Sequence, residues 1–105
     1  MLLKEKDRKR LHEIFSSFDE SFEVWAYGSR VNGTAHEGSD LDLVVRGINL
    51  QEVPRKVISI MRQKITDSNI PILVDLFEWS TLPETFRKNI EEQHEILFSN
   101  IHVAH

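Results

Sequence analysis

The stretch Phe22-Glu23-Val24-Trp25-Ala26-Tyr27-Gly28-Ser29, followed ten residues later by Asp40-Leu41-Asp42, decides the fold of this chain. Residues 22–27 are rich in aromatic side chains, which predicts a short strand that Gly28 ends. A Gly-Ser turn that opens a short helix presents backbone N–H groups, a hydroxyl and a positive helix terminus. Gly28 and Ser29 are therefore predicted to contact phosphate, with a plain helix N-cap as the alternative for the serine.

Two carboxylates stand at the other end of this stretch. A strand places residues i and i+2 on one face, so Asp40 and Asp42 are expected side by side while Leu41 and Leu43 face the core. Like charges this close repel each other, and a bound divalent cation relieves the repulsion. The alternative is a solvated strand end or an Asx turn, where aspartate is common.

A third carboxylate, Asp75, interrupts an apolar run at residues 71–79 that predicts another strand. Burying an unpaired carboxylate is costly, so Asp75 needs a partner unless it faces solvent on an edge strand. If this strand lies beside the one that carries Asp42, the three aspartates make a site for Mg²⁺ or Mn²⁺ and not for Zn²⁺, which favours His and Cys. A pair of such ions can bind a nucleotide's phosphates, activate an attacking oxygen and stabilise the leaving one.

Hydrophobic periodicity predicts the remaining elements. Strands are predicted at residues 22–27, 40–46 and 71–79, and helices at about 4–15, 29–35, 53–66 and 80–93. Pro54 fits the first turn of its helix, and residues 94–98 fit either a short strand or a continuation of the last helix. This order implies an α/β (α+β) fold, a small mixed β-sheet with helices packed on it.

Length and composition limit the classes of function. The 105 residues predict a single domain, 1–105, with no second domain to hold a large substrate. Thirteen Lys and Arg against 17 Asp and Glu give a net charge of −4, which argues against direct nucleic-acid binding. The chain has no cysteine and starts without a signal peptide or membrane span, so a cytoplasmic protein with no membrane contact is expected.

Residues 25–35, 39–43 and 74–76, with Phe86-Arg87 beyond them, resemble the minimal nucleotidyltransferases (MNT proteins) of the polymerase-β-like nucleotidyltransferase superfamily. The motif is specific because it fixes two glycines, a serine and two aspartates in one span, and the resemblance runs from the first strand to the last helix. It implies the polymerase-β-like fold. It also implies the antitoxin of a HEPN–MNT pair, whose partner is a HEPN-domain RNase toxin encoded by the adjacent gene.

The resemblance implies a reaction as well: transfer of AMP from ATP to a tyrosine of the HEPN partner. Asp40 and Asp42 would hold two Mg²⁺ ions, and Asp75 would hold the catalytic ion and help to deprotonate the acceptor hydroxyl. Gly28 and Ser29 would contact the triphosphate.

The residues after Ser29 depart from the common family form Gly-Ser-Arg-Ala-Arg-Gly. Arg30 is present and is expected to contact the nucleotide or the partner, with a plain surface charge as the alternative. Val31 and Asn32 follow Arg30, so the second arginine of the family form is absent. Weaker binding of phosphate is therefore expected.

Two other functions stay open at this level. A non-catalytic antitoxin would neutralise the HEPN protein only by covering it, and a relative of the antibiotic-adenylylating enzymes would modify a small molecule. The sequence leaves open the nucleotide preference and the choice between a homo-oligomer and a hetero-oligomer.

Aromatic and histidine side chains are expected to be structural. Trp25 and Tyr27 share one face of their strand and are predicted to lie in the core, so no base-stacking residue is assigned. None of the histidines has a spacing typical of a metal site, and all are expected to be solvated: His12, His36, His94, His102 and His105.

Overall fold

A four-stranded mixed sheet with four α-helices makes up the part of the protein that the computed structural model describes, residues 1–36 and 38–101. In chain order the elements are α1 (Glu5–Ser16), β1 (Phe22–Tyr27), α2 (Ser29–Asn32), β2 (Leu41–Gly47), α3 (Arg55–Thr66), β3 (Val74–Glu78), α4 (Glu84–Glu92) and β4 (Glu95–Ser99). Two 3₁₀ turns, Ile48–Leu50 and Trp79–Thr81, lie between them. The predicted mixed sheet with packed helices is confirmed.

The strand order is β3-β2-β1-β4. β1 pairs antiparallel with β2 on one side and with β4 on the other, whereas β2 and β3 run parallel. Parallel neighbours need a crossover connection, and α3 supplies it. The strand that carries Asp75 therefore lies beside the strand that carries Asp42, as the sequence argument required, and it forms an edge of the sheet.

The two faces of the sheet are covered unequally. One face packs against α1 and α3, whose apolar stripes bury Leu11, Phe15 and Met61 completely. The opposite face carries Trp25 and Tyr27, which pack with a smaller group drawn from β2, the second 3₁₀ turn and α4: Val44, Trp79, Leu82 and Ile90. Both aromatic side chains are buried, so their predicted core position is confirmed.

Several element boundaries differ from the predictions. β3 begins at Val74 and not at residue 71, because its partner strand β2 begins at Leu41, which lies opposite Val74, and because Pro71 cannot donate a ladder hydrogen bond. The Glu78 carboxylate accepts hydrogen bonds from the Ser80 amide and hydroxyl, which holds the 3₁₀ turn where the last helix was predicted to start. The helix α4 then begins at Glu84, after Pro83.

Two further differences concern α3 and the end of the chain. Pro54 stands immediately before α3 at its N-cap position, and not inside its first turn. The alternatives left open for residues 94–98 resolve as a strand: β4 forms the second edge of the sheet, so the element order ends on a strand where the prediction ended on a helix.

None of the helices in residues 1–36 and 38–101 combines the length and the apolar character that crossing a membrane would require.

Candidate active site

Gly28 makes the turn between β1 and α2, and two features of the structure require glycine there. Its φ is +80°, in the region that side chains disfavour. A Cβ built at Gly28 would lie 2.5 Å from Asp42 Oδ2, closer than any real contact allows. The Asp42 carboxylate occupies the space that a side chain at position 28 would need. The position of Asp42 therefore depends on glycine at position 28.

The candidate metal-ligating residues lie on adjacent strands. Asp42 pairs in register with Tyr27 of β1 and with Asp75 of β3. Leu41 and Leu43 are fully buried on the opposite face, as predicted, which turns Asp42 toward the Trp25 and Tyr27 face. Asp40 precedes β2 by one residue and is exposed.

Burial and neighbouring carboxylates raise the pKa of two side chains at this site, Asp42 and Tyr27. Burial, then the charge of Asp75, then the charge of Asp40 raise the pKa of Asp42 above its ordinary value. Burial and the carboxylates of Asp42 and Asp75 raise the pKa of Tyr27 to about 12, so its phenol stays protonated. In the described ranges, no three carboxylate or imidazole groups are close enough together to form a complete metal site. Within these ranges the structure therefore shows a neighbouring pair of carboxylates, Asp42 and Asp75, here called the acidic half-site, with Asp40 one residue ahead of β2.

Asp75 is placed as predicted, but the physical reason given for it was wrong. The apolar flanks suggested a buried carboxylate, whereas β3 is an edge strand and Asp75 is only half-buried. The flanking side chains Leu73 and Phe77 are themselves exposed. The register with Asp42, and not burial, is what ties Asp75 to the site.

Arg30 organises the loop that carries the first aspartate. It is only 5 % exposed, and its Nε and Nη2 donate to the carbonyl of Ser39 at 2.9 and 2.7 Å. Its Nη1 donates to the carbonyl of Leu2 at 2.6 Å. The guanidinium therefore fixes the residue next to Asp40, which is a positioning role that the sequence did not indicate. Its contact with the nucleotide or the partner stays a prediction.

Replacing Arg30 by lysine is expected to lower the free energy of unfolding by about 1–3 kcal/mol, because an ammonium cannot reproduce the forked pair of bonds to Ser39. Urea denaturation measures the change. The matched control is Arg10→Lys, at an exposed arginine whose ion pair with Glu13 is worth little. Equal unfolding free energies for the two variants would contradict the positioning role.

Asn32 stands where the family form has an arginine, and its side chain has a local partner. Its Oδ1 accepts from the Thr34 amide at 3.0 Å and from the Thr34 hydroxyl at 2.6 Å, an Asx turn that follows α2. Gly33, in the left-handed region at φ +87°, ends α2 between them. The motif loop is therefore shaped by side-chain hydrogen bonds at this position.

A cleft of about 210 Å³ adjoins Gly28 on the side away from β3. Its walls come from the end of β1, from α2 and from α4, and include Tyr27, Asn32, Phe86, Asn89 and Gln93. The Phe86 ring meets the Tyr27 ring edge-on at 5.8 Å. The sequence did not predict that α4 forms a wall of this cleft, although Phe86 lies on the helical face that also carries Ile90 and belongs to the residues that resemble the MNT family.

The prediction of solvated histidines is wrong for His94. Its ring stacks on Trp25 at 3.7 Å with an interplanar angle of 4°, and its Nδ1 lies 2.9 Å from the carbonyl of Ile90. The Arg46 guanidinium also lies 3.8 Å from the Trp25 ring centre. His12 and His36 are exposed, as expected, whereas His102 and His105 lie outside the described residues.

The sequence of the chain matches a known protein family and a known relative. The family model described as "Polymerase beta, Nucleotidyltransferase" matches residues 9–102. The chain is 32 % identical over 97 residues to the probable protein adenylyltransferase MntA of Haemophilus influenzae, which covers 90 % of this chain and 82 % of that protein.

Solved structures share the fold at lower identity. A toxin–antitoxin complex with AMP-PNP matches with a TM-score of 0.64 and 18 % identity, over 89 % of this chain and 73 % of that chain. The MntA–HepT toxin–antitoxin matches with a TM-score of 0.65 and 13 % identity, over 92 % and 74 %. A complex of the tri-AMPylated Shewanella oneidensis HEPN toxin with its MNT antitoxin matches with a TM-score of 0.61 and 14 % identity, over 93 % and 74 %.

The matched span contains the Gly28 turn and all three aspartates, and the nucleotidyltransferases act on nucleotide substrates. By the family model and by its identity to MntA, the chain belongs to the polymerase beta nucleotidyltransferase family.

Proposed function

We propose that this protein transfers AMP from ATP to a tyrosine hydroxyl of a HEPN-domain partner and thereby acts as its antitoxin. The observation that carries the proposal is the in-register pair of Asp42 and Asp75 beside the Gly28 turn, in a chain related to a protein adenylyltransferase. The AMP-PNP complex and the tri-AMPylated HEPN toxin among the structures of similar fold support the same reaction class.

The aspartates fit a pair of Mg²⁺ ions, with Mn²⁺ as an alternative. All donors are carboxylate oxygens. Burial, then the charge of Asp75, then the charge of Asp40 raise the pKa of Asp42. Magnesium is commonly held by one or two carboxylates together with substrate phosphates, so an incomplete acidic half-site is the expected form. In this proposal Asp40 and Asp42 hold both ions and Asp75 holds the catalytic one. Bound Mg²⁺ would supply charge stabilisation for the phosphates and the leaving group.

The Gly28 turn is proposed to hold the triphosphate. Gly28 and Ser29 lie at the start of α2, directly beside the Asp42 carboxylate, so a phosphate there meets backbone amides on one side and the metal half-site on the other. The cleft between Tyr27 and α4 adjoins this turn and offers space for the rest of the nucleotide.

Catalysis is proposed to follow in-line displacement. The acceptor oxygen forms a bond to the α-phosphorus of ATP, the bond from that phosphorus to the bridging oxygen breaks, and pyrophosphate leaves. Asp75 accepts the proton of the acceptor hydroxyl. The protein contributes mainly position: β2 and β3 hold the two carboxylates in register, and Arg30 holds the loop before Asp40.

The experiment combines the protein with ATP labelled in its α-phosphate, Mg²⁺ and the purified product of the adjacent gene. Label is expected on a tyrosine of that partner, located by mass spectrometry. Unlabelled partner, or label that appears without this protein, would overturn the proposal. Label on a small molecule with none on the partner would favour the antibiotic-adenylylating alternative.

Binding of Mg²⁺ is expected to strengthen as pH rises, because protons compete for Asp42. Its folded pKa is raised above 3.8, so the folded protein holds this proton more tightly than the unfolded chain does. The stability that Asp42 contributes in the metal-free protein is therefore fully present below pH 3.8 and is lost as pH rises through the folded pKa. Above that window the ionised carboxylates repel one another, and Mg²⁺ should restore the loss.

Thermal unfolding with and without Mg²⁺ from about pH 4 to about pH 8 measures this effect. The stabilisation by Mg²⁺ should grow across the range in the native protein and be small throughout in Asp42→Asn. A stabilisation that does not change with pH would count against Asp42 as a metal ligand.

A further inference from the structure

An alternating stripe of one acidic and two apolar side chains runs along the outer strand of the sheet. Leu73, Asp75 and Phe77, here called the β3 stripe, follow one another at every second residue. Asp75 and Phe77 pair in register with Asp42 and Val44, so the stripe lies on the active-site face. The carbonyl of Leu73 accepts from the Leu41 amide, which extends the alternation one residue ahead of β3.

The two apolar members of the stripe are exposed without a partner in the described chain. Leu73 is 66 % exposed and Phe77 is 41 % exposed. A strand rises roughly 3.3 Å per residue, so these side chains stand about 13 Å apart with the Asp75 carboxylate midway between them. An open groove of about 590 Å³ follows the outer edge of β3, lined on one side by the stripe and on the other by α3 residues that include Arg62 and Ile65. The stripe thus places an exposed apolar side chain on each side of the Asp75 carboxylate.

The order of residues across the sheet fixes the direction from which the acceptor arrives. The Gly28 turn follows β1, Asp42 lies on β2 and Asp75 lies on β3, so the proposed phosphate turn, metal half-site and base form a line of neighbouring strands. The attacking and leaving oxygens stand roughly in line at phosphorus. With pyrophosphate leaving toward Gly28, the attacking oxygen enters over Asp75, across the edge formed by β3.

We propose that Leu73 and Phe77 form the acceptor subsite, which seats the aromatic ring of the partner's tyrosine, in an apolar segment, over Asp75. The inference rests on the proposed function and adds a substrate preference to it. An aromatic ring between the two side chains buries apolar surface while its hydroxyl reaches the carboxylate. A serine or threonine of the partner has no ring that could cover Leu73 and Phe77. The stripe therefore selects a phenol over an aliphatic alcohol.

The test measures AMP transfer to the partner by the double variant Leu73→Ser with Phe77→Ser. We expect the efficiency of labelling at limiting partner concentration to fall by roughly tenfold or more, as for loss of a central contact in an interface. Binding of a fluorescent ATP analogue in the presence of Mg²⁺ should stay within about twofold of the native value, because the stripe lies on the acceptor side. The matched control is Ile96→Ser, an apolar residue 53 % exposed on the other edge strand, which should label like the native protein.

Native labelling efficiency in the double variant would overturn the acceptor subsite while leaving the proposed function intact. No labelling by the native protein would overturn the proposed function and this inference together. A second measurement does not depend on the folding of the serine variant: p-benzoylphenylalanine at position 77 keeps an aromatic side chain there. On illumination it should crosslink to the peptide of the partner that contains the labelled tyrosine. A crosslink to any other region of the partner, or none, would overturn the subsite.

Discussion

The double variant Asp40→Asn with Asp42→Asn is expected to lose AMP transfer by roughly 10³-fold or more, because metal-ion charge stabilisation contributes several kcal/mol to such reactions. Asp42 occupies the centre of the site, against the Gly28 turn and in register with Asp75. Asn keeps the shape of each side chain but removes the charge that would hold Mg²⁺. Binding of the HEPN partner should persist, since neither substitution changes the apolar surface.

Transfer of labelled phosphate to the partner measures the loss, and co-purification of the two proteins measures the binding. The matched control is Asp19→Asn with Glu20→Gln, which makes the same change of charge at exposed positions in the turn before β1. The control should label the partner at the native rate. Undiminished labelling by the Asp40 and Asp42 variant would contradict the assignment of both ligands.

Unfolding is not the expected cause of that loss. Burial first, and then the charges of Asp75 and Asp40, raise the pKa of Asp42, so its ionised form is unfavourable in the metal-free protein. Removing two of those charges should leave the melting temperature in EDTA unchanged or higher. A melting temperature that falls would mean that the carboxylates have structural partners.

The same double variant distinguishes an antitoxin that transfers AMP from one that neutralises the HEPN toxin only by binding to it. A protein that acts as an antitoxin only by binding would still neutralise the HEPN toxin with Asn at both positions. The engagement of Asn32 with Thr34, where the family form has an arginine, is the observation that favours this second function. Loss of neutralisation with binding intact would favour transfer of AMP.

Local sequence was sufficient for most of the fold. The aromatic run at residues 22–27, the apolar stripe of α3 and the glycine at position 28 each carry their own signal, and all three appear where they were predicted. Predicted boundaries differ from the structure where a residue outside the predicted element decides them. The carboxylate of Glu78 holds the turn at Ser80 and delays α4 to Glu84, and pairing with β1 makes β4 a strand.

The candidate site also combines features that local sequence predicts with features that depend on residues far apart in the chain. The spacing from Gly28 to Asp42 lies within one stretch and could be predicted, whereas the register of Asp42 with Asp75 depends on a parallel pairing across α3. The partners of Arg30, at Leu2 and Ser39, are 28 and 9 residues away in the chain, so its burial left no local signal. An arginine that ties two loops together looks the same in sequence as one on the surface.

Replacing Gly28 by alanine is expected to lower AMP transfer by roughly 10²-fold, the order of loss that a misplacement of about 1 Å produces at a reacting centre. The added Cβ would lie 2.5 Å from Asp42 Oδ2, so either the carboxylate or the turn must shift. Both are parts of the proposed site: Asp42 as a metal ligand and the turn as the phosphate contact. The positive φ adds a cost in the free energy of unfolding of about 1–3 kcal/mol, measured by urea denaturation.

Gly33→Ala is the control for a positive φ without a clash, because Gly33 has a φ of +87° and no atom within 4 Å of a built Cβ, although its ψ is +4° whereas that of Gly28 is −155°. It should lose about 1 kcal/mol of stability, less than Gly28→Ala because other residues do enter the left-handed region that Gly33 occupies, and it should keep most of its transfer activity. Comparable activity in the two alanine variants would mean that the Gly28 turn serves only the backbone. Loss of activity confined to Gly28→Ala, measured where both variants are fully folded, would mean that the reaction requires the geometry of the Gly28 turn, including the space beside Asp42. In that case glycine at position 28 supports catalysis by leaving room for the Asp42 carboxylate.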